Sequence, residues 1–204
     1  MTATTDRRRG RPPGRPPLVD RDAILDAAER VIARDGRGVS LDAVAAEAGI
    51  TKPIVYARVG HRAELSNALA ERLNARIVVA AGSTAAHRPF SRETLVTFFR
   101  ATLATIGEHR ELFLYVTRGS ADDSAERTLY LAQRSAEPLT LLLRRWREST
   151  GLDATATEAW AYGIIGMLNL VSLWWIDNGQ PPPGPLAEQL ASLAWSGIGN
   201  GSPE

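Results

Sequence analysis

The reactive side chains that usually announce chemistry are missing from this chain. There is no cysteine among 204 residues, which excludes a thiol nucleophile, a zinc ribbon and a disulfide framework together. His61, His87 and His109 stand apart without metal-ligand spacing, and Gly36-Arg37-Gly38 has neither a strand before it nor a phosphate-loop pattern around it. The residues therefore point to recognition and away from catalysis, with no metal and no cofactor expected. What they offer instead is cations. Residues 1–17 carry five arginines against one aspartate, residues 18–80 balance at nine of each sign, and residues 81–204 hold ten basic against thirteen acidic side chains. A net charge of +1 thus hides a basic N-terminal end, which is the nucleic-acid end. Lys52 is the sole lysine among 24 basic residues.

The elements that must position these groups are helical. Strand signals are nearly absent, and after residue 20 apolar residues recur at three and four, so the fold class is all-α, with about nine helices. Residues 1–17 are rich in Pro, Gly and Arg and form an arm, disordered in isolation. A first helix begins after Asp20 as N-cap and ends before Gly36, with Ile24, Leu25, Ala28, Val31 and Ile32 on its stripe and Asp22, Asp26, Glu29 and Arg30 toward solvent. Ser40 caps a short second helix carrying Leu41, Val44, Ala45 and Ala48, and Gly49 stops it. Two residues on, Thr51 caps a third helix, in which Pro53 is tolerable because first-turn amides have no intrahelical acceptor. Two helices thus meet at a tight turn.

From His61 a longer helix runs through Leu65, Leu69 and Leu73 toward Val79, and Gly82 to Pro89 breaks it and marks a boundary. Ser91 caps the next helix, Glu111 to Thr117 is a short apolar piece, and residues 125–149 form a long helix that Pro138 should kink or split. Residues 157–178 and 185–198 make the last two. The expected organisation is an arm at 1–17, a helix-turn-helix DNA-binding domain at 18–64, and a helical effector-binding and dimerisation domain at 65–204.

Helix, turn at Gly49, then helix, with small Ala45 on the facing side, is the geometry that lets a second helix project into a major groove. The run Ser40-Leu41-Asp42-Ala43-Val44-Ala45-Ala46-Glu47-Ala48-Gly49-Ile50-Thr51-Lys52-Pro53-Ile54-Val55-Tyr56 resembles the DNA-binding signature of the tetracycline-repressor (TetR) family of bacterial regulators. The resemblance covers roughly residues 20 to 69. It implies that Thr51, Lys52, Pro53 and Ile54 face bases or phosphates and that Tyr56 bonds a phosphate, with Ser40 and Arg58 on the same surface and Val55 inward. The side chains suit those roles: lysine can donate to guanine O6 and N7, isoleucine can touch a thymine methyl, and threonine can reach a backbone oxygen or a base edge. Where the family usually places a phenylalanine and then a lysine, this chain has Val59, Gly60, His61 and Arg62, which predicts looser packing under the third helix and leaves Arg62 as the cation for a phosphate.

Arg9-Gly10-Arg11-Pro12, followed by Gly14-Arg15-Pro16, resembles the AT-hook, whose extended backbone lies in a narrow A·T minor groove with arginines inserted. Here Arg9 and Arg11 would insert. A basic tail adding only phosphate affinity is the alternative, and either strengthens DNA binding.

Residues 159–176 contain no charge. Their length is at the lower limit for a membrane span and no Lys or Arg cluster flanks them, which favours a helix buried on all sides over a transmembrane one. By the resemblance, the last two helices pair with their mates in a four-helix dimer interface, with Gly163 and Gly166 permitting close approach and Leu170, Trp174, Leu190 and Trp195 packing there. Phe98, Phe99, Tyr115, Trp146, Trp160 and Tyr162 are the candidate pocket for an apolar effector. The implied function is a ligand-responsive regulator, by family habit a repressor, that binds a palindromic operator as a homodimer, with A/T-rich flanks for the arm. The competing reading is an architectural or activator DNA-binding protein without an effector. The basic N-terminus has no apolar stretch behind it as a secretion signal would, so a cytoplasmic, nucleoid-associated protein is expected.

Overall fold

A computed structural model describes residues 20–85, 90–118 and 125–199, all helix and connecting turn without a strand. The order is α1 (Arg21–Asp35), a 3-10 turn (Gly36–Gly38), α2 (Leu41–Glu47), α3 (Lys52–Val59), α4 (Arg62–Ala85), α5 (Arg92–Glu108), α6 (Arg110–Thr117), α7 (Ala125–Ser149), α8 (Thr157–Asp177) and α9 (Pro183–Gly199). The arginine arm, with Arg9, Arg11 and Arg15, lies outside the described residues.

The first helix forms where its pattern places it. Ile24, Leu25, Ala28, Val31 and Ile32 are buried, and Asp20 caps through its backbone, accepting the Ile24 amide, without a side-chain bond. Glu29 departs from expectation. It does not face open solvent but accepts both of its bonds to Arg76 from Nη2, at 3.0 and 2.8 Å, and Arg72 reaches Asp22, Asp26 and Glu29 from the same helix face. These pairs tie α1 to α4.

The break expected from Gly82 to Pro89 begins late, with α4 ending at Ala85, and the split expected at Pro138 does not occur. α4 continues through Gly82 to Ala85, because one glycine costs a helix only about 1 kcal/mol, which neighbouring turns can carry. α7 likewise runs unbroken across Pro138, which stands on the exposed side of that helix, where the carbonyl it leaves without a partner can meet water. α7 turns Ala136, Leu139 and Leu143 inward and packs along α8. α9 starts two residues earlier than its prolines suggest, since Pro183 and Pro185 fit in a first turn.

Packing gives the molecule one buried apolar cluster running from α1 to α9. α5 lies between α4 and α9, with Phe99 and Leu103 fully buried, and its Ser91/Thr94 capping box fixes its start. α6 has neighbours on both sides: it touches α1, the 3-10 turn and α4, and its apolar residues Leu112 to Val116 are all buried. α8 is long and apolar enough to span a membrane, but here it packs against α7 and α5. It is also not buried on all sides. Gly163, Gly166, Asn169, Leu170 and Trp174 form an exposed stripe opposite its core face.

Candidate nucleic-acid interface

The turn between α2 and α3 is built by backbone bonds. Ser40 Oγ accepts from the Ala43 amide at 3.1 Å and starts α2. At the other end the Gly49 and Ile50 amides donate back to the carbonyls of Ala46 and Ala45 at 3.2 and 3.0 Å, with Gly49 at φ 66°, a conformation that costs glycine little. Thr51 then occupies the cap of α3, but its carbonyl, not its hydroxyl, receives the amides of Ile54 and Val55. The hydroxyl makes no cap bond, so the expected side-chain cap is absent.

α3 is short and seated by two residues, Val55 at 0% and Val59 at 6% exposure. Around that anchor Thr51, Pro53, Tyr56 and Arg58 are exposed and Lys52 and Ile54 half-buried. Ser40 is exposed at the start of α2. The packing beneath α3 is not loose, contrary to expectation. Gly60 sits at φ 93°, where a Cβ would come 2.9 Å from the Glu64 Cβ, and the Glu64 carboxylate accepts the His61 amide at 2.9 Å and caps α4. The Tyr56 and His61 rings meet at 5.0 Å. A small residue at position 60 lets the chain turn there as tightly as sterics permit.

The electrostatics of the face are local. Lys52 Nζ is 2.8 Å from Asp42 Oδ2, and that bond, with the charge of Asp42 behind it, raises the ammonium above the usual lysine range. Arg30 and Arg34 hold Glu47 at 2.7 and 3.2 Å, tying α1 to α2 and pushing its carboxyl down. Arg62 is exposed at the start of α4, where Nη2 donates to the Arg37 carbonyl at 3.3 Å and the guanidinium lies over the Tyr115 ring.

The aromatic residues expected to form one pocket fall into separate packings. Trp146 is clustered with Phe90 and Trp195, Trp160 lies 4.7 Å from the Arg147 guanidinium, and Phe99 is core against Phe98. Tyr115 is buried beneath Arg62, and Tyr162 is half-buried on α8. None of the six lines either of the two clefts that meet at Glu108 and His109. On the expected dimer face, Gly163 and Gly166 are exposed, with Leu170 at 70% and Trp174 at 56%. Leu190 is corrected: it is buried within its own protomer, and Leu193, at 66%, is the exposed leucine of α9. Trp195 is half-buried in the Trp146 cluster.

Residues 24–69, from α1 into α4, match the sequence profile of the bacterial regulatory proteins of the tetR family. Over that stretch the chain carries the DNA-binding domain of tetR-family regulators. An uncharacterised HTH-type transcriptional regulator of Mycobacterium tuberculosis is 26% identical over 186 residues, covering 87% of this chain and 76% of that one. The crystal structure of a TetR-like transcriptional regulator from Rhodococcus sp. RHA1 is 28% identical, covers 91% of this chain and 100% of its own, and superposes with a TM-score of 0.62. FadR from Bacillus subtilis, solved in complex with stearoyl-CoA, shares the fold at a TM-score of 0.68 and 18% identity, covering 86% and 98%.

The match is to regulators of transcription that bind DNA, and not to an enzyme. In this chain, several residues that shape the reading head were not singled out by sequence reasoning: Asp42 against Lys52, Glu64 over Gly60, and Arg72 and Arg76 across to α1. Only Glu64 left a trace, since an acid three residues past His61 has the spacing of a helix cap.

Proposed function

We propose that this chain is a homodimeric repressor that reads a palindromic operator with α3 and is released from it by a small apolar effector. The observation that carries the reading is the anchoring of α3: Val55 and Val59 are buried while Thr51, Pro53, Tyr56 and Arg58 face outward. Lys52 and Ile54 stand at the edge of the same face, and Ser40 beside them at a helix start suits a phosphate. In this reading 18–64 is the DNA-binding unit, 65–204 the effector-binding and dimerisation unit, and Arg9, Arg11 and Arg15 add minor-groove or phosphate contacts.

The exposed stripe of α8 supports the dimer. Leucine and tryptophan side chains exposed in one line along the uncharged stretch 159–176 are an interface awaiting cover, and the two glycines in that line admit a close neighbour. A two-fold axis there sets the paired α3 helices about 34 Å apart, one turn of DNA. The ligand in the FadR structure supports an effector with apolar character. The cytoplasm, where DNA is reached, is the proposed location.

The test is a mobility shift on DNA from beside the coding sequence. Lys52→Ala with Tyr56→Ala should abolish the specific complex, and deleting residues 1–17 should lower affinity and flatten its salt dependence. A specific complex unchanged in both variants would refute the site.

A further inference from the structure

α2 and α3 hold two acids, Asp42 and Glu47, and only one of them meets a cation of the reading surface. Glu47 is turned back to α1, where Arg30 and Arg34 hold it. Asp42 stands in the first turn of α2 with its side chain 66% exposed, bonded to Lys52 at the start of α3. An acid in a first turn suits the helix dipole. On a surface that must lie against phosphates it is also a charge of the wrong sign, and Lys52 neutralises it only while the lysine is not bound elsewhere.

A donor and an acceptor thus lie side by side, with Lys52 Nζ and Asp42 Oδ2 2.8 Å apart. The major-groove edge of a G·C pair presents the complementary arrangement. Guanine O6 and N7 accept, and the cytosine N4 amino group, one hydrogen bond's length from O6, keeps one N–H directed into the groove. The acceptor beside that amino group, O6, is the atom a lysine would take. An A·T pair also carries an amino group, on adenine, but N7 and thymine O4 stand on either side of it and set lone pairs against a carboxylate.

We propose that Asp42 is a base-reading residue: when α3 enters the major groove, Lys52 gives up the Asp42 carboxylate for guanine, and the carboxylate accepts from the cytosine amino group of the same base pair. The inference rests on the reading of α3 as the recognition helix and names one base pair of its site. Asp42 then acts by exclusion. At a G·C pair the lost ion pair is replaced, whereas at an A·T pair the carboxylate is left facing lone pairs, so the residue lowers affinity for wrong sequences more than it raises affinity for the right one.

The experiment selects binding sites for the full-length protein from random duplexes. Each cytosine of the selected site is then replaced in turn by N4-methylcytosine, which still pairs with guanine but puts a methyl group where the groove-facing N–H was. At one cytosine in each half-site the parent protein should lose affinity about tenfold, the worth of one good base contact. Asp42→Ala should be indifferent to that methyl group, should discriminate little between G·C and A·T there, and should bind unselected DNA more tightly than the parent. 7-Deazaguanine opposite that cytosine should weaken the parent and leave Lys52→Ala unaffected. An Asp42 that only tied α2 to α3 would alter stability and overall affinity but not the response to N4-methylation. Equal sensitivity of parent and Asp42→Ala to the methyl group, or a selected site without a sensitive cytosine, overturns the proposal and leaves α3 as the reading helix. Failure to select any site takes down both.

Discussion

The Arg62 guanidinium lies 5.9 Å from the centroid of the Tyr115 ring while donating to the Arg37 carbonyl. Arg62 opens α4, Arg37 belongs to the 3-10 turn that ends α1, and Tyr115 is on α6. One side chain therefore pins three elements at the place where the reading head meets the helical domain. A double-mutant cycle with Arg62→Ala and Tyr115→Leu, followed by urea unfolding, should show a coupling of about 0.5–1 kcal/mol. Tyr115→Phe keeps the ring and should keep most of it. Strict additivity in the cycle would remove Tyr115 from the linkage.

Two glycines of the reading head should respond differently to alanine. At Gly49 the only penalty is the positive φ, since nothing lies within 4 Å of an added Cβ, and about 1 kcal/mol is expected. At Gly60 a positive φ adds to a Cβ contact with Glu64, and about 2–3 kcal/mol is expected. Thermal or denaturant unfolding ranks the two, and equal losses would mean that the α3–α4 turn gives way.

Lys52 must leave Asp42 to reach DNA. Asp42→Asn frees it and removes a negative charge from the face, so DNA affinity should rise. Lys52→Ala should cost about 1–3 kcal/mol and relax base preference if the lysine reads guanine, or reduce the salt slope by about 1 if it meets a phosphate. Affinity measured against salt for the three proteins separates these, and no gain in Asp42→Asn would show the pair to be irrelevant to binding.

Leu170→Glu and Trp174→Glu place charge on the exposed stripe of α8 without touching the protomer's core. Both should sediment as monomers with helix content unchanged and lose affinity for a two-half-site operator. A parent protein that is itself monomeric at every usable concentration would sink the dimer.

Asp177 gives a pH dependence with a definite sign. Its bond to Arg118 at 2.5 Å, then the charges of Arg118, Arg110 and Arg37, hold its carboxyl below the usual range. A carboxyl whose folded pKa is depressed stabilises the fold above the ordinary carboxylate pKa and gives that stability up as pH falls through the folded value. Asp177→Asn should therefore flatten the loss of thermal stability between neutral pH and the acid range. The group is half exposed, so 0.5 M salt should shrink the difference. A steeper acid loss in the variant would contradict the assignment.

The reading head was largely legible because its signals are local. The α1 stripe, the Ser40 cap, the Gly49 stop and the inward Val55 each follow from residues within one or two turns. The partners of Arg62 were not legible, for the opposite reason: Arg37 and Tyr115 lie 25 and more residues away, and no periodicity reports them. The last helices show the same limit. Leu190 and Leu193 are alike in the pattern of α9, and only the packing of α5 on that helix shows that one is covered at home and the other is not. The break expected from Gly82 to Pro89 starts only after Ala85, because a single breaker's propensity is a small local cost that the longer helix absorbs.

Trp174 and Trp175 are adjacent in the chain and opposite in surroundings: the first is more than half exposed on the free side of α8, the second buried with its Nε1 donating to the Pro181 carbonyl at 2.8 Å. The protein thus carries paired fluorophores in a single helical turn. A second subunit settling on that side would shift the emission of Trp174 to shorter wavelength while Trp175, already dry, would not respond, so assembly would show, with no label attached, as a partial blue shift of the summed emission of the five tryptophans.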